Sequence, residues 1–225
     1  MFIPLKDMNP HRTTPVVNTM LILANVIVFL YEVTLPHRQQ DAFIMANATV
    51  PAHVTAFLGG HYSFQLAFMP LLTSMFLHGG WAHLGGNMLF LWIFGDNVED
   101  YFGHLGYLFF YFVCGIGSGL CHILFNPHSP LPALGASGAI SGVMGAYIVL
   151  FPRARVLTLV VVFFLPIPAF IILGYWFVLQ FLAGISSLGM VATGGVAVWA
   201  HVGGFLLGMF ITLFTLGDRK RSMAY

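Results

Sequence analysis

Apolar residues along this chain come in long runs separated by short polar breaks. A helix that crosses a membrane needs about 20 mostly apolar residues. Six stretches are candidates: Val16–Leu35, Trp81–Phe102, Leu105–Phe125, Ser137–Leu150, Pro168–Ile185 and Val196–Leu216. The fourth is short. The apolar stretch Val156–Ile185 is too long for one helix, and Pro166 and Pro168 interrupt it, because proline lacks the N–H and clashes with the preceding turn. Its first part, "VLTLVVVFFLP", therefore reads as an interfacial or re-entrant loop. The longest connection, Pro36–Gly80, joins the first two spans. This pattern predicts an all-α polytopic membrane protein: an N-terminal segment 1–15, a six-helix domain 16–216 and a basic tail 217–225.

Composition agrees. Of 225 residues, 59% are hydrophobic and 7% charged, against about 25% charged in soluble domains. The lipid bilayer is the expected surrounding, and a net charge of +1 offers nothing to a nucleic acid. Cys114 and Cys121 lie seven apart in one apolar run, about 10 Å along a helix, too far for a disulfide. They read as packing residues. The start, "MFIPLKDMNPHRTTP", lacks the charged-then-apolar-then-cleavage order of a signal peptide. With six spans, Lys6, Arg12, Arg153, Arg155, Arg219, Lys220 and Arg221 share one side and Arg38 has the other. That bias puts both termini in the cytoplasm. The absence of an extra domain or targeting arm suggests a compact enzyme of the prokaryotic plasma (inner) membrane.

Spans two, four and six then enter from the outer face, and their first turns share one depth. His83 and Asn87 stand in span two, Ser137 opens span four, and His201 lies early in span six. Polar groups inside membranes are rare and usually face the bundle interior. A fourth span of about 14 residues covers about 21 Å, so its start stops below the surface and leaves room for water. A helix N-terminus carries unpaired N–H groups and partial positive charge, useful where a carbonyl oxygen gains negative charge. Ser137 is placed there as a nucleophile in need of a base, and His201 is the candidate.

Gly135, Gly138 and Gly142 surround Ser137 in "GASGAISG", with Gly145 one turn on, and Gly204 and Gly208 follow His201 in "WAHVGGFLLG". Small residues at this spacing let membrane helices approach closely, and packing span four on span six would bring Ser137 to His201. His83 and Asn87, four apart, can both donate hydrogen bonds and suit an oxyanion hole completed by the Ser137 N–H. No carboxylate stands at this depth, so the pair is a dyad. Taken singly, each residue also admits a structural reading: packing for Ser137, interhelical hydrogen bonding for the others.

These motifs carry a family resemblance. "GASG", "AHVGGFLLG" and "HLGGN" resemble the Gly-x-Ser-Gly, Ala-His-x-x-Gly-x-x-x-Gly and His-x-x-x-Asn motifs of rhomboid intramembrane serine proteases, in the family's order on spans four, six and two. The resemblance implies a rhomboid-like bundle with a short central fourth helix, which cleaves single-pass transmembrane proteins without metal or cofactor. By motif, Ser137 becomes the nucleophile, His201 the base, and His83 and Asn87 the oxyanion donors. Two departures stand out. Arg38 has no Trp neighbour where some members carry a Trp-Arg pair. Ser141 stands where some have a tyrosine stacking on the histidine.

Ser141 and Gly145 read as packing, His78 as an interfacial histidine, and Trp176 and Phe177 more as ordinary apolar lining than as a gate. Met190 is a candidate cap over the site. A metalloprotease would need a ligand set such as His-Glu-x-x-His, and an aspartyl protease two mid-membrane aspartates; neither is present. A transporter should show repeated halves and a charged pathway. The remaining alternative is a catalytically inactive relative that escorts membrane clients.

Overall fold

The computed structural model describes residues 2–188 and 197–222. Strand β1 (Phe2–Asp7) precedes helix α1 (Val16–Thr34). The first connection folds into four short helices, α2 (His37–Asn47), α3 (Pro51–Leu58), α4 (Phe64–Phe68) and α5 (Pro70–Thr73), followed by a 3-10 turn at Ser74–Phe76. Then come α6 (Trp81–Phe102), α7 (His104–Phe125), α8 (Ser137–Leu150), strands β2 (Arg155–Val160) and β3 (Phe163–Pro168), α9 (Ala169–Ser187) and α10 (Val198–Ser222). The long helices fall where the apolar runs put them, with α10 continuing past Leu216.

Among the described residues, α1, α7, α9 and residues 198–217 of α10 are long and apolar enough to cross a membrane. The other two expected spans fall short for different reasons. Helix α6 carries Asp96, Glu99 and Asp100 in its last turns, and α8 has only 14 residues. Helix α1 shows the amphipathic logic in its membrane form. Asn18, Leu21, Asn25, Phe29 and Glu32 recur at helical spacing on the buried face, whereas Met20, Leu23, Ile27 and Leu30 are exposed. A lipid-facing side chain has no need to be polar.

The all-α expectation fails at one end. Residues read as an interfacial or re-entrant loop form a hairpin, and β1 adds to it as a three-stranded antiparallel sheet in the order β1-β2-β3. The β-branched run "RVLTLV" favours a strand. The prolines that break the helix fit because they sit on edge strands, where a missing N–H costs little: Pro4 pairs with Thr158, and Pro166 with Leu157. The tip residues Val161 to Leu165 are exposed.

Helix α8 is the axis of the bundle. It is buried continuously from Gly138 to Tyr147 and packs against α6, α7 and α10. Its seam with α10 is backbone on backbone. A Cβ on Gly204 would overlap the carbonyl oxygen of Gly138, one on Gly208 the carbonyl of Gly142, and one on Gly145 the carbonyl of Phe205. On the other flank, a Cβ at Gly138 would strike Ser118, and one at Gly142 would strike Cys114, a free buried thiol. The glycines expected to allow close packing therefore do so, from two sides.

Candidate active site

The first connection positions the start of α8. Thr49 exchanges backbone hydrogen bonds with Ala133, and its hydroxyl meets Ser74 at 3.0 Å. The Ser74 carbonyl accepts from Gly135 N–H at 2.8 Å. Gly135 has φ +120°, and a Cβ there would lie 2.8 Å from His83 Nε2. A side chain is thus excluded twice, by backbone conformation and by the imidazole. Helix α8 then begins at Ser137.

The glycine seam brings α10 alongside, and the two polar groups meet. Ser137 Oγ lies 2.8 Å from His201 Nε2. His201 is buried and Ser137 half-buried. A cavity of about 210 Å³ opens over this pair, and its walls include His83, Asn87, Ser137, Trp176 and His201. All four predicted polar side chains therefore face one small space. A hydroxyl held on an imidazole nitrogen within hydrogen-bond reach is the geometry nucleophilic chemistry needs.

The donors are oriented as well. Gly79 N–H donates to His83 Nδ1 at 3.3 Å, so a neutral His83 carries its proton on Nε2, the atom beside Gly135. Asn87 is buried, and its Nδ2 donates to His78 Nε2 at 2.9 Å. An amide nitrogen has two protons, which leaves Asn87 a second one for the cavity.

The sequence model of the Rhomboid domain matches residues 65–218, well over half of the chain. This chain belongs to the rhomboid family. Among relatives, this rhomboid is 32% identical over 149 residues to Rhomboid protein 1, mitochondrial, of Saccharomyces cerevisiae, covering 62% of this chain and 39% of that one. It is 28% identical over 206 residues to the presenilin-associated rhomboid-like protein, mitochondrial, of Rattus norvegicus, covering 85% and 46%. To Rhomboid protease GluP of Bacillus subtilis it is 43% identical over 76 residues, covering 34% and 14%. The chain thus spans less than half the length of these relatives. The longer alignments are to proteins named as mitochondrial, which overturns the expectation of a prokaryotic plasma membrane with cytoplasmic termini. Compactness was no guide to residence.

Sequence reasoning missed three polar neighbours of this rhomboid site. His78 is buried behind Asn87, and its backbone N–H donates at 3.4 Å to Oε2 of the second, Glu32 of α1, a buried carboxyl near the site where none was expected. The signal was the spacing of Asn18, Asn25 and Glu32 at sevens, a polar stripe on an apolar helix. The third is Gln180 of α9, whose Oε1 lies 2.8 Å from His201 Nδ1. Trp176 is more than apolar lining, since its ring lies against His201 with centroids 5.8 Å apart. Ser141, in the stacking-tyrosine position, turns away and donates to the Ser137 carbonyl at 2.6 Å. Phe177 stacks on Phe205. Met190 lies outside the described residues. Among the described residues, no three His, Cys, Asp or Glu side chains gather as a metal ligand set.

Proposed function

We propose that this rhomboid is an intramembrane serine endopeptidase that cuts single-pass transmembrane proteins near the membrane face opposite its N-terminal segment. The observation that carries this reading is the 2.8 Å contact of Ser137 Oγ with His201 Nε2, in a cavity whose walls also hold His83 and Asn87. We count α6 and α8 as spans too, giving six. Helix α8 is wrapped by protein rather than lipid, so the hydrocarbon-thickness rule that asks for about 20 apolar residues does not bind it. The Bacillus relative's name includes "protease", which supports the same reading.

The chemistry runs as follows. Ser137 Oγ attacks the scissile carbonyl carbon as His201 Nε2 takes its proton. The carbonyl π electrons move onto oxygen, and that oxyanion is met by Asn87 Nδ2–H, His83 Nε2–H and the first-turn N–H groups of α8. Collapse breaks the C–N bond, and the imidazolium proton goes to the leaving amine. Water, deprotonated by His201, then attacks the ester and releases the new carboxyl group and Ser137. The scheme calls on no metal and no cofactor. Substrates would be helices that unwind locally, with small residues near the cut.

The test is cleavage of a single-pass substrate in proteoliposomes containing EDTA, comparing wild type with Ser137→Ala and His201→Ala. Cleavage by wild type alone is expected. Silence from all three while substrate co-purifies would favour the client-escort reading. Undiminished cleavage by Ser137→Ala would remove the serine mechanism. Solute flux without cleavage would favour a transporter.

A further inference from the structure

His201 touches three helices. It belongs to α10, meets Ser137 of α8 through Nε2, and meets Gln180 of α9 through Nδ1 at 2.8 Å. Trp176, one turn before Gln180 on the same face of α9, lies against the imidazole ring. Gln180 is the sole amide on α9, a helix without a charged residue. Of the four long apolar helices, α9 buries the smallest share of its apolar window, 22% against 39% for α10. Its fully buried residues stand towards its two ends, at Ala169, Ile172, Leu173 and Gly184. The middle of α9 reaches inward through Trp176, Phe177 and Gln180, which are half-buried. An amide in an apolar helix is costly to bury without a partner, and here its partner is the imidazole.

We propose that Gln180 is the positioning residue that sets the tautomer of His201, with Trp176 holding the plane of the ring; this rests on the protease reading above. A neutral imidazole carries one proton on one of two nitrogens. Gln180 Oε1 can only accept, so the proton sits on Nδ1. Nε2 is then left with its lone pair towards the Ser137 hydroxyl, as a base requires. In the other tautomer, Nε2–H would face the hydroxyl as a donor and could not take its proton. When Ser137 attacks, its proton moves to Nε2 while the Nδ1 proton remains on the hydrogen bond to Gln180. The same Nε2 proton later goes to the leaving amine. A neutral amide does this without a carboxylate in the membrane, where an ionised group is expensive.

Gln180→Met keeps the length and apolar bulk but removes the acceptor, and Gln180→Glu keeps an oxygen acceptor. Losing one hydrogen bond to the correct tautomer should lower kcat of the Met variant about tenfold or more at unchanged KM, with the Glu variant retaining more activity than Met. A second readout needs no catalysis: ¹⁵N spectra of the imidazoles, with His201 assigned by its loss in His201→Gln. Wild type should show His201 protonated on Nδ1, and Gln180→Met should shift it towards Nε2. An unmoved tautomer, or wild-type kcat in Gln180→Met, would overturn the role of Gln180. A tautomer that shifts as expected in a protein that cleaves nothing would instead overturn the protease reading and leave the hold of Gln180 on the ring standing.

Discussion

Helix α8 carries polar groups into the bundle at both ends and treats them differently. At its far end, Tyr147 donates to Asp7 Oδ2 at 2.7 Å, Asn97 donates to the same oxygen at 3.2 Å, and Asn97 also accepts from Asn9. His11 meets Asp96 beside them at 3.1 Å. The larger cavity lies at this end, about 610 Å³, against about 210 Å³ over Ser137. Size alone would select the wrong place. Around the larger space Asp7, Asn9, His11 and Asp96 are tied into hydrogen bonds, and its lining includes no serine or cysteine. Around the smaller one, Asn87 and His83 keep protons to give, and a hydroxyl rests on a base. Saturation marks polar groups that hold the fold together, whereas spare donors around a hydroxyl held on an imidazole are what the proposed protease chemistry would use.

The contrast can be broken from either end. Replacing Ser137 by Ala should lower cleavage by about a thousandfold or more and leave the unfolding midpoint in detergent within a degree or two. Asn87→Ala should reduce kcat by about a hundredfold, the scale of a lost oxyanion donor, read in the same proteoliposome assay. At the saturated end the effects should invert. Tyr147→Phe should cost about 1–2 kcal/mol of stability, seen as a lower midpoint, while cleavage by the folded fraction stays near wild type. A Tyr147→Phe protein of full stability but crippled activity would erase the distinction.

The smallest effect is in pH. Burial pushes the Asp7 carboxyl up to about 6 from its ordinary 3.8, with the hydrogen bond from Tyr147 opposing and nearby Asp96 adding to the rise. The folded protein therefore holds that proton across a range where the unfolded chain has released it. Asp7's contribution to stability should fall as pH rises from about 4 to about 6 and change little above that. Thermal midpoints across this range should show the decline, and Asp7→Asn should flatten it.

Much of this was legible because helical spacing and depth are properties of one chain segment at a time. The long helices, the seam from Gly138 and Gly142 to Gly204 and Gly208, and the gathering of His83, Asn87, Ser137 and His201 all follow from runs, motifs and topology. What escaped depends on rotation and on distant partners. Gln180 is conspicuous as the amide of an apolar helix, but only the rotation of α9 decides that it meets Nδ1 of His201. His78 sits outside any apolar run, and the Glu32 carboxyl that meets its backbone N–H comes from 46 residues away. The sheet was hidden because "VVVFF" does not alternate and because β2 needs β1, from the other end of the sequence.

That last pairing also orders events during synthesis. Asp7 lies opposite Val156, so β1 is made long before the strand it joins. At roughly 5–20 residues per second, it must wait on the order of ten seconds while α1, α6, α7 and α8 enter the membrane. An unpaired strand is a template for wrong partners, and Pro4 removes one of the N–H groups it could offer. When β2 arrives, it aligns Asp7 under Tyr147, so the last turns of α8 are secured only after the chain beyond them exists. Completion of the hairpin thus comes only after the whole of the helix bearing Ser137 has been made.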